Sequence, residues 1–400
     1  MKFFTKKSFA FLMTILMMFT LVACGGDKKE ETSAKTETVN TDGELVIGVT
    51  SFADTLEPTE QYFSWVITRY GVGENLVRFD EHGDLQASLA EEWKVSDDKL
   101  TWEFKIRDGV KFSNGNPLTA EAVKSSLERT FRKSKRADGF FKPTSIVADG
   151  QTLKISTEKP VAILPQCLAD PLFLIIDTSD NVEEYTTNAP ICTGPYVFKE
   201  FVPTEYAIVE RNENYWGGKP GLAKVTFKCI NDQSTRALSL KSGEIGVAYN
   251  LKIENKADFE GQDDINIQEL KSLRSTYAFM NQHGALGDLS LRQALLRALD
   301  KKAYCENLLG GAATPGKAPI PPTLDYGFDK LVDENAFNPE SAKEILAKAG
   351  YKDVDGDGFV EKPDGSKLEL NFVIYTSREE LKVYAQAAQA NLKDVGINVN

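Results

Sequence analysis

Histidine is nearly absent: His82 and His283 are the only two in 400 residues. A metal centre built on several imidazoles, or a histidine base held by partner groups, has little to draw on. Both stand alone, His82 in the turn Glu81-His82-Gly83-Asp84, and both read as surface residues. Basic residues are outnumbered, 47 Lys and Arg against 59 Asp and Glu, for a net charge of −12. An acidic chain without a basic stripe argues against nucleic acid as a partner, and its charge reads as solubility rather than targeting. Cysteine is scarce too: Cys24, Cys167, Cys192, Cys229 and Cys305. No CxxC or metal-ligand spacing joins them. The last four allow three disulfide pairings, and spacing does not choose among them. Cys167 and Cys192 flank one local segment and are the pair to test first; buried thiols are the alternative. GxSxG, HExxH and P-loop motifs are missing, and 59 acids give carboxylate pairs by chance. After residue 22 no apolar run reaches the ~20 residues that cross a bilayer.

What is present begins with an address. Lys2, Lys6 and Lys7 form a charged start, Phe9 to Val22 an apolar run, and Leu21-Val22-Ala23-Cys24 a lipoprotein cleavage pattern. Residues 1–23 are expected to be removed. Cys24 is expected to carry the acyl chains that anchor the protein to the outer face of a membrane; an ordinary secretory signal is the alternative. Residues 24–42, rich in charge and threonine and free of aromatics, read as a flexible tether.

The remaining chain is ordinary globular material, too long for one core. Its clearest stretch is Leu89 to Phe131. Leu100, Trp102, Phe104 and Ile106 alternate with Thr101, Glu103, Lys105 and Arg107, the period of a half-buried strand. Glu92–Val95 reads as its hairpin partner across Ser96–Lys99. Thr119 caps a helix with Val123, Leu127 and Phe131 on one face. Strands are expected at 44–49, 76–79, 145–148, 151–157, 196–202, 206–211, 224–230, 246–250 and 275–280. Helices are expected at 234–242 (burying Ala237, Leu238 and Leu240), at 291–309, after Asn338-Pro339, and after a Ser377/Glu380 capping box. The meander before residue 224 gives way to alternating strands and helices, an α/β layer. The last residues, Ile397–Asn400, look like the start of a strand.

Trp93 to Phe131 (WKVSDDKLTWEFKIRDGVKFSNGNPLTAEAVKSSLERTF) resembles the signature of the family 5 extracellular solute-binding proteins, peptide- and nickel-binding receptors of ABC importers. The corner Thr193-Gly194-Pro195-Tyr196, the run Arg211–Gly217, the strand–helix Val225–Ile245 and the helix at Leu291–Leu295 follow in the family's order, over residues 43–400. The resemblance implies an α/β, two-lobed, periplasmic-binding-protein-like fold of type II. It implies an N-terminal lobe at 43–245 with an extra subdomain at about 80–190, a second lobe at 246–400, and hinge closure on a ligand between them. It also implies no catalysis and no cofactor, a monomer, and the transmembrane subunits of a permease as partners. The family chain runs on past the position matching Asn400, so the second lobe is expected to be incomplete, and this chain poorly stable or unable to bind by itself. The wording around Val110–Glu121 and Asn212–Leu251 is nearest the nickel branch. Yet Val66 stands where that branch has a metal-contacting methionine and Asp170 where it has a second carboxylate-clamping arginine; Arg136 matches the first. The branch's histidine, and the peptide branch's acidic residue, fall beyond Asn400. An oligopeptide is therefore the expected ligand and a nickel or metal chelate the alternative.

Arg136 is the candidate to pair with a ligand carboxylate; a solvated charge beside Arg132, Lys133 and Lys135 is the alternative. Tyr62 and Trp65 are candidates for stacking, or for helix core. Tyr249 and Asn250 are candidates for the cleft rim or hinge. Asp353-Val354-Asp355-Gly356-Asp357-Gly358 opens like a calcium loop, but Asp364 stands at the twelfth place, and the stretch reads as an Asp/Gly turn. An exported hydrolase is the competing class, without a motif to support it; a peptide-signalling receptor on the same fold is a third reading. Metabolic labelling with palmitate is expected to mark the protein, and Cys24→Ala to abolish the label; persistence of label in that variant would contradict the anchor.

Overall fold

The computed structural model describes residues 42–50, 53–324, 326–375 and 378–400; the leader, residues 24–41 of the tether, and Ser377 lie outside them. In chain order the strands are β1 Gly43–Val49, β2 Val77–Phe79, β3 Leu85–Ala87, β4 Ala90–Val95, β5 Thr101–Ile106, β6 Pro143–Asp149 and β7 Thr152–Thr157. They continue with β8 Tyr196–Val202, β9 Tyr206–Arg211, β10 Leu222–Cys229, β11 Val247–Ala248, β12 Glu369–Leu370 and β13 Asn398–Val399. The helices are α1 Phe63–Arg69, α2 Ala120–Lys133, α3 Leu164–Leu168, α4 Gln233–Lys241, α5 Leu289–Ala298, α6 Lys301–Ala303, α7 Pro339–Lys348 and α8 Glu379–Asp394. Among the described residues no helix is long and apolar enough to cross a membrane.

The apolar run of β1 goes from half-buried at Leu45–Ile47 to buried at Gly48–Val49, and the strand is central. It pairs parallel with β10 on one side and β11 on the other, in a five-stranded sheet ordered β11-β1-β10-β9-β8. Parallel strands covered on both faces read as continuous apolar sequence, which is why residues 45–49 lack alternation. The hairpin of the Leu89–Phe131 stretch forms as expected and lies in a second sheet, β4-β5-β7-β6. Trp93 opposes Phe104, and Phe104 opposes Leu153, so the inward row of one strand continues across the next. Thr119 caps α2 by accepting from the Ala122 amide, and Val123 and Leu127 are fully buried. α2 packs on β6 and β7. Phe131 meets the rings of Phe141 and Phe173 at 5.1 and 5.6 Å. Apolar residues collect in three cores: one under the four-stranded sheet, one between α1 and the five-stranded sheet, and one among α5, α7, α8 and β13.

Three expectations need correction. The helix over 291–309 is broken: α5 ends at Ala298, and Leu299 is extended. Asp300 then accepts from the Ala303 amide and starts α6, which widens into a π-type turn at Tyr304–Leu308. An aspartate inside the apolar pattern acted as a cap rather than an interior residue. Second, 275–280 is no strand; among the described residues it has no ladder neighbour, and Phe279 is 90% exposed. Alternation needs a partner strand to become a sheet. Third, Leu238 is 65% exposed and Leu240 only half-buried, while α4 turns Arg236, Ala237 and Ser239 inward. Among the described residues no disulfide joins Cys167, Cys192, Cys229 and Cys305, so none of the three pairings is made.

The corner motif has a physical account. Glu74, just before β2, accepts from the Thr193 hydroxyl at 2.7 Å and the Trp216 indole N–H at 2.9 Å. Arg107 lies over the Trp216 ring at 4.6 Å, and Asn212 Nδ2 donates to the Gly194 carbonyl at 2.7 Å. Gly194 is required by closeness: a Cβ there would stand 2.5 Å from the carbonyl oxygens of both Gly71 and Val72. Gly194→Ala is therefore expected to lower stability by ~2 kcal/mol or more in denaturant unfolding, with the far-UV spectrum retained where folded.

Candidate functional site

The loop entering α1 is held by a buried ion pair that the sequence did not announce. Glu57 is 0% exposed, and its carboxylate takes both arms of Arg129 on α2, at 2.9 and 2.7 Å. The Thr59 hydroxyl and amide and the Tyr185 amide also donate to it. Burial alone pushes the Glu57 carboxyl up, but these donors and the Arg129 charge outweigh it and hold the group below the usual carboxylate range. Because each arm of the guanidinium meets one oxygen, the loop has one orientation relative to α2.

That orientation presents Tyr62 outward, 60% exposed. Gln61 before it is in the left-handed region, φ +41°, and its carbonyl accepts from Arg136 Nη1. The Arg136 guanidinium lies over the Tyr62 ring at 4.1 Å, and Tyr62 meets Trp65 edge-on at 5.9 Å. The structure therefore brings Arg136, Tyr62 and Trp65 together as one wall. Arg69, one turn on from Trp65, adds a second cation over the indole at 5.1 Å. Sequence reasoning missed Arg69, although the 62/65/69 spacing marks one helix face. A guanidinium stacked on a ring keeps its in-plane N–H edge for a carboxylate. Trp65 is half-buried, neither fully core nor fully open. Val66 is buried against the five-stranded sheet, and the Asp170 carboxylate caps the turn at 171–173 by accepting from the Leu172 amide.

Tyr249 and Asn250 lie elsewhere, just after β11. Tyr249 is 56% exposed, and its amide donates to the Gly48 carbonyl at 3.0 Å. Asn250 has φ +58°. In the Asp-rich loop, oxygens of Asp353, Asp355 and Glu361 lie within 4.8 Å of one another. Asp353 already accepts from the Gly356 and Gly358 amides, Glu361 from the Val354 amide, and Lys367 sits 3.7 Å from both Asp355 and Asp357. Asp364 turns away and accepts from the Ser366 hydroxyl and amide. The carboxylates of this loop are engaged by backbone amides and by Lys367. Cys24 lies outside the described residues.

The ion pair gives a pH-dependent prediction. Glu57 has a lowered folded pKa, so its contribution is present above the ordinary glutamate range and is lost as pH falls through the folded value. Glu57→Gln is expected to cost ~3–5 kcal/mol at pH 7. The gap between wild type and variant, read by denaturant melts, should shrink at pH values below about 4.

Residues 84–400 match the profile of the bacterial extracellular solute-binding proteins, family 5 (Middle). The nickel-binding protein NikA of Staphylococcus aureus is 28% identical over 340 residues, covering 85% of this chain and 66% of that protein. The oligopeptide-binding protein AppA of Bacillus subtilis is 29% identical over 423 residues, covering 98% and 76%. Among solved structures, NikA of Brucella suis in complex with Fe(III)-EDTA superposes with a TM-score of 0.80 at 28% identity, covering 90% of this chain and 74% of that one. The chain thus spans about two thirds of the length of the first of these curated relatives. It shares their mixed α/β fold, and it belongs to family 5 of the bacterial extracellular solute-binding proteins.

Proposed function

We propose that this protein captures a small solute outside the cytoplasm, most readily an oligopeptide, and passes it unchanged to the transmembrane subunits of an ABC importer. The family match over residues 84–400 carries the reading. In this reading the chain works as lobes at 43–245 and 246–400, as a monomer, tethered through residues 24–42 to a lipid on Cys24. Arg136 receives a ligand carboxylate, Tyr62 and Trp65 supply apolar contact, and Tyr249 and Asn250 border the moving edge. Closure buries the ligand, and the free energy comes from that burial and from charge-assisted hydrogen bonds to its ends.

A nickel chelate is the second reading, favoured by the nickel-binding relative. Against it, Val66 and Asp170 offer no soft or cationic group at the two positions where the nickel branch has methionine and arginine, and both are engaged in the fold. Thermal-shift screening of the exported protein with di-, tri- and longer peptides, then nickel–histidine and other chelates, decides between them. Peptides are expected to raise Tm, and turnover of the stabilising peptide is not expected. Stabilisation by nickel chelates alone would reverse the order, and hydrolysis of the ligand would point to the enzyme class.

A further inference from the structure

Among the described residues Arg236 is the largest fully buried side chain, 0% exposed. Its hydrogen bonds go to backbone carbonyls. Nη1 donates to the Ile230 carbonyl and, at 3.5 Å, to that of Asn231; Nη2 donates to Asn250 at 2.8 Å. Burial draws its pKa below the ordinary arginine value. A buried guanidinium that bonds only to carbonyls through Nη1 and Nη2, with Nε left unpartnered, is costly in desolvation, so packing by itself does not account for it.

Its carbonyls belong to two strand ends. Ile230 and Asn231 follow β10, and Asn250 follows β11. β10 and β11 flank β1 and run parallel to it. The guanidinium therefore reaches across β1 and ties together the C-terminal ends of its two neighbours. β1 makes room for the stem at Gly48, where a Cβ would stand 3.1 and 3.2 Å from Arg236 Cγ and Cδ and 2.6 Å from Ile245 Cδ1. The bond to Asn250 also falls on a strained residue, since φ +58° is left-handed for a non-glycine.

We propose that Arg236 is a positioning residue: a latch that fixes where, and in which direction, the chain leaves the five-stranded sheet at Tyr249–Asn250. The third core is built from residues 291–399, so Asn250 stands on the passage between the sheet and that core. In a protein that closes on a ligand, motion is absorbed by a few element-terminal residues of this kind. That bearing on capture rests on the binding-protein reading; the latch rests on the sheet geometry alone.

Hydrogen exchange on the exported protein tests it without a ligand, so a protein that binds no peptide or chelate still gives an answer. Arg236→Lys keeps the stem and charge but cannot bridge both strand ends; Arg236→Met removes the donors. Gly48→Ala displaces the stem with the guanidinium intact and serves if the Arg236 variants fold poorly. In each, the Tyr249 amide is expected to exchange about tenfold faster, while the amides of Ala207 and Val209 in β9 keep their protection. Unchanged protection at Tyr249 would overturn the latch. So would loss spread evenly over β8, β9 and β10 with a lowered Tm, which is the signature of a packing role only.

Discussion

The parallel pairing of β1 with β10 is the constraint on which the rest depends. It joins residues 43–49 to residues 222–229, so everything between must leave the sheet and return to it. The intervening chain does so by building a separate four-stranded sheet with α2 against it, then re-entering through the antiparallel β8 and β9. From β10 the chain crosses by α4 to β11 on the far side of β1, the short helical crossover that parallel strands require. Once β1 is placed between two parallel neighbours, the C-terminal strand ends at Thr50, Ile230 and Tyr249 lie together, and Arg236 can span two of them.

Two carboxylates hold the loops around this sheet, Glu57 fully buried and Glu74 half-buried, and they respond to pH in opposite senses. Glu57 is drawn below its ordinary pKa by Arg129 and its other donors, so it stabilises the fold above that range. Glu74 is pushed up by burial, which outweighs the Trp216 and Thr193 donors and the Arg107 charge. A raised carboxylate contributes fully below the ordinary glutamate range, and that contribution is lost as pH rises through the folded value. Acidification therefore loosens the α1 loop while easing the charge buried in the Thr193–Tyr196 corner. The loop that bears Tyr62 is the more acid-sensitive of the two.

Local pattern carried much of this fold. The β4–β5 hairpin, the Thr119 and Asn338 caps, and the strands β8 and β9 follow from alternation, capping residues and turn chemistry, all readable within a dozen residues. What was not legible depended on partners distant in sequence. Arg129 reads as a solvated helix charge until Glu57, 72 residues earlier, is placed against it. Arg236 reads as surface until Gly48 and Asn250 surround it. Leu238 reads as core until Arg236 takes the inward place. The segment 275–280 has a strand's composition, but composition supplies no ladder. Of the candidate site, Arg136, Tyr62 and Trp65 come together because the Gln61–Tyr62 loop is pinned under Arg136; the addition of Arg69 needed the helix to be seen from outside.

The central claim is that the Tyr62–Trp65–Arg136 wall receives the carboxylate of a captured peptide. Calorimetric titration of the full-length exported protein with an oligopeptide panel, before and after Arg136→Met, tests it directly. The account predicts peptide binding by the wild type, weakened by about ten- to a hundredfold in the variant, as expected for loss of a charge-assisted hydrogen bond. Equal affinity in the two proteins would contradict it.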